Sequence, residues 1–462
     1  MIRLSKIFRP FNAPPRNKLP KLLKNPNETA SKGYKLLCQY GFIRQSSHGF
    51  YNILPMGHRI IEKLTKLLDH KMISIGAHKS YVPLLTKQSL WEKAGMYDEA
   101  RDEFFEVDNR NNHKLVLSPT HEQTFSHLLS TELMSYRDFP KLLYQIAPKF
   151  RDEHRPKLGL LRSKEFLMKD LYSFDIGPKE ADQTYQIVTE AYNDIFNSLG
   201  IKFMRVESAK ESHVSMAHEY FYFSDIGDDR LYTCMACDSS YHASAVADRH
   251  TCPNCLKYLS EDGYFNAIEI GHTFSFGTYY STRLGSCFVD KNCQRSPLHM
   301  CSFGIGVSRL VSACAEVCST EEDELRWPLP IAPYSLCIIP PKLGSVEEKE
   351  IKLLLPDFYR LLEAIPSLSD DIVIDDRTEY TIGKRLVEAK LTGYPYILVI
   401  GKDALKSTPL YELFDLNHEK RYLMPKFSLL QFLIRATEML SESSLKIAYL
   451  QNATTQQPST DS

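Results

Sequence analysis

The densest grouping of residues able to do chemistry runs from Lys149 to Asp170. Lys149-Phe150-Arg151-Asp152-Glu153-His154-Arg155 is followed, across a short loop, by Arg162-Ser163-Lys164-Glu165-Phe166 and Leu167-Met168-Lys169-Asp170. Residues 142–151 and 165–175 read as two strands flanking a charged loop. Positions two apart on a strand share a face, so Arg151 and Glu153 point the same way. Arg155, Lys157 and Arg162 add positive charge around the loop. Such a hairpin can grip a nucleoside triphosphate: a guanidinium neutralises phosphate oxygens bidentately, a carboxylate accepts from an exocyclic amine, and a ring stacks on a base. Taken alone, the residue types fit better a charged surface hairpin with ordinary salt bridges, each worth at most about 1 kcal/mol.

A second grouping is Cys234-Met235-Ala236-Cys237 and Cys252-Pro253-Asn254-Cys255, two CxxC pairs 14 residues apart. Thiolates at this spacing suit a tetrahedral structural Zn²⁺; the alternative is four reduced thiols in a degenerate ribbon. Four sulfurs would fill the coordination sphere, which leaves no place for a catalytic role. The remaining cysteines are scattered and need no more than small buried positions.

The elements that must carry these groups can be read from periodicity. Residues 57–76 read as a helix from Ile60, Ile61, Leu64, Leu67, Leu68 and Met72. Leu115–Leu117 reads as a strand, Glu122–Leu133 as a helix, and 179–199 as a helix opened by Pro178 and closed by Gly200. The proline-rich run from Trp327 to Pro333 reads as a linker. Beyond it strands (336–339, 371–374, 396–400, 410–415) alternate with helices (345–365, 384–391, 427–440), the pattern of a small α/β domain. The tail from Asn452 is polar and expected to be disordered.

At 462 residues the chain is too long for one ordinary core, so two or three domains are expected. A hydrophobic share of 43% with 24% charged residues fits a globular protein, and no apolar run reaches membrane-helix length. The net charge of -1 predicts no polyanionic partner, so nucleic acid would have to be held by local patches. The first 27 residues stand apart: seven Arg or Lys and no acid. That composition suits a mitochondrial transit peptide, and otherwise a basic tail.

The Lys149–Asp170 segment resembles the second signature motif of class II aminoacyl-tRNA synthetases, in the form found in prolyl-tRNA synthetases of the bacterial type. Three further segments agree in order. Gly76–Pro83 with Leu84-Leu85 is similar to the first, dimer-forming motif. Ser118-Pro119-Thr120-His121-Glu122 is similar to the amino-acid-reading loop. Phe303-Gly304-Ile305-Gly306-Val307-Ser308-Arg309-Leu310 is similar to the third motif. The resemblance spans residues 28–440. It implies a fold of mixed α/β content: an α+β catalytic domain on an antiparallel sheet over 28–325, with the cysteine ribbon at 230–262 as an insert, and an anticodon-binding domain over 334–440.

The roles implied are these. Arg151 sits between the α-phosphate of ATP and the proline carboxylate. Glu153 accepts from the adenine amine, Phe166 stacks on the base, and Arg162 adds to the ATP grip. Arg309 holds the γ-phosphate, while Gly304 and Gly306 let backbone approach the ligand. Thr120 and Glu122 bind the proline imino group. His272, in Glu269-Ile270-Gly271-His272-Thr273-Phe274, lines the proline pocket, although a lone histidine on an apolar strand is commonly a satisfied core residue. Arg377, Lys384 and Arg385 are candidate anticodon contacts or members of a solvated face. The family's partners follow: ATP with Mg²⁺, L-proline, tRNA(Pro) and a second copy of the chain, in the mitochondrial matrix and with no membrane contact. Cys301-Ser302-Phe303 stands where the family carries Gly-Cys-Tyr, and Tyr279 where it carries Lys. The large editing domain of bacterial relatives is missing, since only 33 residues separate Cys237 from Gly271. The rival readings are a class II synthetase for another amino acid and a non-catalytic synthetase-like accessory subunit; the presence of Arg151, Glu153 and Arg309 weighs against the second.

Overall fold

The computed structural model describes residues 1–11, 31–208, 214–246, 251–260 and 263–438. The charged hairpin forms two long antiparallel strands, β1 (Lys141–Phe150) and β2 (Glu165–Asp175). Strand β2 is buried on both faces for most of its length, because it is an inner strand of a nine-stranded sheet with an apolar core packed on each face. Beyond it come β6 (His299–Gly306), then β5 (Tyr264–Gly277), which pairs with both β3 (Met216–Phe223) and β4 (Asp229–Thr233). All of these pairings are antiparallel. Helices α1 (Pro55–Ser74) and α3 (Pro178–Ser198) pack on one side of the sheet through Ile60, Leu64, Leu68 and Met72 and through Tyr185, Val188, Tyr192 and Ile195. Helix α2 (Glu122–Ser130) belongs to a separate core with Phe174 and Met300. Helix α4 (Val307–Cys318) follows β6 without a break, the junction being Gly306.

Register places residues from distant parts of the chain in rows across the sheet. Gln145, Asp170, Gly304, His272 and Glu219 form one row over five strands, and Leu143, Tyr172, Ser302, Phe274 and Ala217 form the next.

The C-terminal unit is a six-stranded sheet. Parallel strands β7 (Leu336–Ile339), β8 (Ile372–Ile374) and β9 (Tyr396–Val399) are followed by an antiparallel hairpin, Leu410–Asp415 with Lys420–Pro425. The expected helix over 345–365 is two helices, Val346–Ile351 and Leu355–Glu363, with Pro356 in the first turn of the second, where its missing N–H costs nothing. The proline-rich run is packed: Trp327, Ile331 and Ala332 are buried, and Trp327 donates its indole N–H to the Thr392 carbonyl. Lys63 of α1 binds both the Ala332 carbonyl and Asp371, tying the two units together.

Of the segment expected as a transit peptide over 1–27, residues 1–11 pack against the C-terminal unit. Ile2–Arg3 adds a parallel edge strand beside Val373 and Ile374, Leu4 is buried, and Ser5 bonds Asp376 through both its N–H and its hydroxyl. Arg9 reaches Thr392 at 2.7 Å and stacks over Phe11. Apolar residues interleaved with basic ones serve an edge strand as well as an import signal. Residues 12–27 and the expected disordered tail lie outside the described residues. Among the described residues no helix is long and apolar enough to cross a membrane.

Candidate active site

Arg151, Glu153, Arg162, Phe166 and Arg309 line a single cleft, joined there by Glu103, Asp228, Asp229 and Glu269. The hairpin supplies the first four and the α4 start supplies Arg309. The two are fastened by Arg309 Nε donating to the Leu161 carbonyl at 3.1 Å and by the Leu167 N–H donating to Ser308 Oγ at 2.9 Å. Arg151 lies over the Phe166 ring at 5.4 Å, and its Nε is 3.8 Å from Glu103. Arg309 pairs with Glu269, whose other oxygen lies 3.2 Å from His272 Nδ1. Burial pushes the Glu269 carboxyl up, but Arg309 and His272 outweigh it and hold the group below the usual carboxylate range. Glu219, next to His272 in the same row, is pushed up to about 6 by burial and by repulsion from Glu269.

Thr120 and Glu122 sit deeper, outside that cleft's lining. Glu122 is buried, with one oxygen accepting from Thr120 and the other from Ser302 at 2.8 Å. Beneath them lies a polar network: Lys149 Nζ donates to Asp170 Oδ2 at 2.9 Å and to His121 Nδ1 at 2.6 Å, and Tyr172 donates to Asp170 at 2.8 Å. Burial, then Lys149, pushes His121 down to about 4, so the ring is neutral at pH 7. Its Nδ1 faces the ammonium as acceptor, and its Nε2–H donates to the Pro83 carbonyl at 3.2 Å. The buried carboxylate Glu122 can take the charge of an ammonium or imino group, and the arginine cleft can take phosphates; together they suit joining a carboxylic acid bearing an amine to a nucleotide.

His272 is not in the cleft lining; it stacks on Phe274 at 4.6 Å and lies directly across from Gly304 in the same row. Of the two roles open to Gly304, backbone approach to a ligand or tight packing at the strand–helix junction, its contacts favour packing. A Cβ there would lie 2.3 Å from Met168 Cε and 2.5 Å from His272 Nε2, so packing already uses the room. At Gly306 a Cβ would crowd only Arg309, at 3.2 Å.

The expected RNA contacts divide. Arg385 is fully buried, donating to the Asp375 and Pro340 carbonyls, and cannot reach an RNA; that expectation is corrected. Arg377 is locked by Asp375 and Glu388. Lys384 is exposed, 3.6 Å above the Tyr380 ring. The four cysteine sulfurs lie within 4.8 Å of one another. Sequence reasoning missed Glu269 and Asp228 as wall residues. Glu269 could have been found from its position three residues before His272, but nothing local marked Asp228.

Residues 105–318 match the tRNA synthetase class II core domain (G, H, P, S and T), and residues 361–435 match the anticodon binding domain. The chain is 37% identical over 417 residues to a probable mitochondrial proline--tRNA ligase of Homo sapiens, covering 90% of this chain and 87% of that one. It is 34% identical over 406 residues to the Schizosaccharomyces pombe counterpart (87% and 92%). It is 32% identical over 416 residues to the proline--tRNA ligase of Sulfurimonas denitrificans (86% and 93%). Among solved structures, Giardia lamblia prolyl-tRNA synthetase in complex with prolyl-adenylate superposes with a TM-score of 0.70 at 16% identity, over 84% of this chain and 73% of that one. That likeness shows the fold, the class II synthetase architecture of mixed α/β content.

Proposed function

Because the chain belongs to the proline--tRNA ligase family of class II aminoacyl-tRNA synthetases, we propose the following assignment of its groups to the ATP-dependent activation of L-proline and its transfer to tRNA(Pro). ATP, with Mg²⁺ on its phosphates as part of the substrate, enters the arginine cleft. Phe166 stacks on adenine, Glu153 accepts from its amine, and Arg162 and Arg309 hold the outer phosphates. Gly306 starts the helix that carries Arg309. Proline lies deeper, its imino group on Thr120 and Glu122, with His272 at the pocket's border. Arg151, between the two, cancels repulsion between the proline carboxylate and the α-phosphate. The carboxylate oxygen attacks the α-phosphorus and pyrophosphate leaves. A terminal ribose hydroxyl of the tRNA then attacks the acyl carbon and AMP leaves. No protein nucleophile is needed, so catalysis is positioning plus charge neutralisation.

The C-terminal unit takes the anticodon, with Lys384 the best placed of the three basic residues. A second copy of the chain docks on the edge bearing the exposed Ile73, Tyr81 and Leu85. The four cysteines hold a structural Zn²⁺. The chain works in the mitochondrial matrix, by likeness to relatives named mitochondrial. With no large insert between β4 and β5, it does not deacylate alanyl-tRNA(Pro) in cis, although pocket selection against a smaller amino acid is limited.

The observation that carries the reading is that Arg151 and Arg309, distant in sequence, face one cleft beside Phe166 and Glu153. ATP–pyrophosphate exchange across the amino acids tests it. Exchange is expected with proline and is lost in Arg151→Ala; exchange with another amino acid instead would sink the assignment.

A further inference from the structure

The cysteine ribbon and the nucleotide cleft are the two ends of one strand. Strand β4 begins at the cleft-lining Asp229, just after Asp228, and ends at Thr233, next to Cys234. It is pinned on both sides, with Leu231 opposite Phe265 of β5 and opposite His242 of the strand Ser240–His242. Just before it, Gly227 lies flush on β5: a Cβ there would sit 2.0 Å from the Ala267 carbonyl oxygen. Asp228 then receives Lys157 at 2.6 Å on one carboxylate oxygen and Arg162 at 3.2 Å on the other. Lys157 and Arg162 are themselves bridged through their backbones and close the loop between β1 and β2. Asp228 thus clasps two of that loop's cations.

At the far end, the two CxxC turns are the same structure twice. In each, the carbonyl of the first cysteine accepts from the residue after the second, Asp238 or Leu256, at 2.9 Å. The first cysteine's N–H donates to Ser239 or Lys257, at 2.9 and 2.8 Å, and Asp238 and Leu256 both adopt left-handed backbone with φ of 56° and 58°. The turns face each other, with Cys234 Sγ 3.6 Å from Cys255 Sγ and Cys237 Sγ 3.7 Å from Cys252 Sγ. Four sulfurs at about 2.3 Å from a tetrahedral zinc are about 3.8 Å apart, whereas a disulfide requires about 2.05 Å. Among the described residues the apolar surroundings are Tyr232, Val246 and Leu259 with the partly buried Tyr241 and Tyr264, a small cluster to fix such turns without a metal.

We propose that the four cysteines bind one Zn²⁺, and that the metal acts through β4 to hold Asp228 as the clasp on the phosphate-gripping loop, so that its occupancy sets ATP affinity. This rests on reading Arg162 as an ATP ligand. Asp228 is a positioning residue: it orders Lys157 and Arg162 before the nucleotide arrives. Losing the clasp frees Lys157 and leaves Arg162 to Glu153 alone, and the cost falls on ATP rather than on proline.

The full-length chain, purified without chelator and assayed for metal by mass spectrometry, is expected to carry one zinc, and Cys252→Ser to lose it. In pyrophosphate exchange Cys252→Ser raises the KM for ATP severalfold. Asp228→Asn, which keeps its zinc, raises it likewise while leaving the KM for proline and kcat near wild type; Asp228→Glu restores it. A metal-free wild-type chain, or zinc loss with an unchanged ATP KM, overturns the proposal. An unchanged ATP KM in Asp228→Asn does the same. Failure of the zinc-loaded wild type to exchange with any amino acid would instead overturn the reading of the cleft, on which the metal count does not depend.

Discussion

Arg162 meets the carboxylate of Glu153 edge to edge, Nη2 to Oε1 and Nε to Oε2, both at 2.9 Å. The guanidinium, through its hydrogen bond, holds Glu153 below the usual carboxylate range, so it stays an acceptor into mildly acidic solution. In the proposed complex each group exchanges the other for part of ATP, and truncating one also frees its partner for the ligand. Arg162→Ala and Glu153→Ala should therefore each raise the KM for ATP in pyrophosphate exchange, and the double variant by more than the product of the two, because the energy of the broken pair is recovered only once. A cycle showing strict multiplication would mean that the pair does not compete with the nucleotide.

Glu122 is held by Thr120 on one oxygen and by Ser302 on the other, in a place sealed from water. Replacing a buried partner of a charge pair costs about 2–5 kcal/mol, and each 1.4 kcal/mol is about tenfold. Glu122→Gln is expected to raise the KM for proline by about 30-fold or more, with the KM for ATP little changed. Equal effects on both substrates would place Glu122 in the scaffold instead.

Much of the hairpin and the third motif could be read ahead of the structure, because strand alternation and the order of charged residues are local signals. The strands 141–150 and 165–175 and the helix Pro178–Ser198 lie within a residue or so of their expected bounds. What sequence could not supply was pairing between distant segments. The row from Gln145 to Glu219 is set by five strands in register, and Asp228 enters the cleft only because Gly227 presses on Ala267. Arg385 looked like its neighbour Lys384, yet the helix Ile382–Thr392 turns one to solvent and the other onto two carbonyls.

That helix makes a direct comparison possible. Lys384→Ala should raise the KM for tRNA in aminoacylation and leave the melting temperature alone. Arg385→Ala removes charged hydrogen bonds and opens a cavity, costing on the order of 3 kcal/mol, which a thermal melt will register. A stable Arg385→Ala with weakened tRNA binding would contradict the buried placement.

The amino-terminal segment should behave as part of the fold. Deleting residues 1–11 removes an edge strand, the buried Leu4 and the Ser5–Asp376 bonds. Burial of one such leucine is worth about 1.5–3 kcal/mol, so the deleted chain should melt several degrees lower and its C-terminal unit should be cut sooner by protease. Mass spectrometry of the organellar protein should find these residues retained. An amino terminus beyond residue 11 would restore the view of a removable leader.

Lys169 offers a test by pH. It is fully buried on the helix-covered side of β2, donating to Tyr192 and to the Phe303 carbonyl at 3.3 Å. Burial pushes it down to about 7, against the weaker opposing pull of Asp170. In the unfolded chain the same lysine titrates near about 10.4. Between these values the unfolded state holds the proton and the folded state does not, so this group makes stability rise with pH, by at most about 1.4 kcal/mol per unit. Below pH 7 both states are protonated and its penalty is constant. Lys169→Met removes the penalty and the slope together: the variant should be the more stable at pH 6–7, by urea denaturation, and its advantage should shrink toward pH 9. Parallel stability profiles for the two chains would show that the ammonium keeps its proton inside the core.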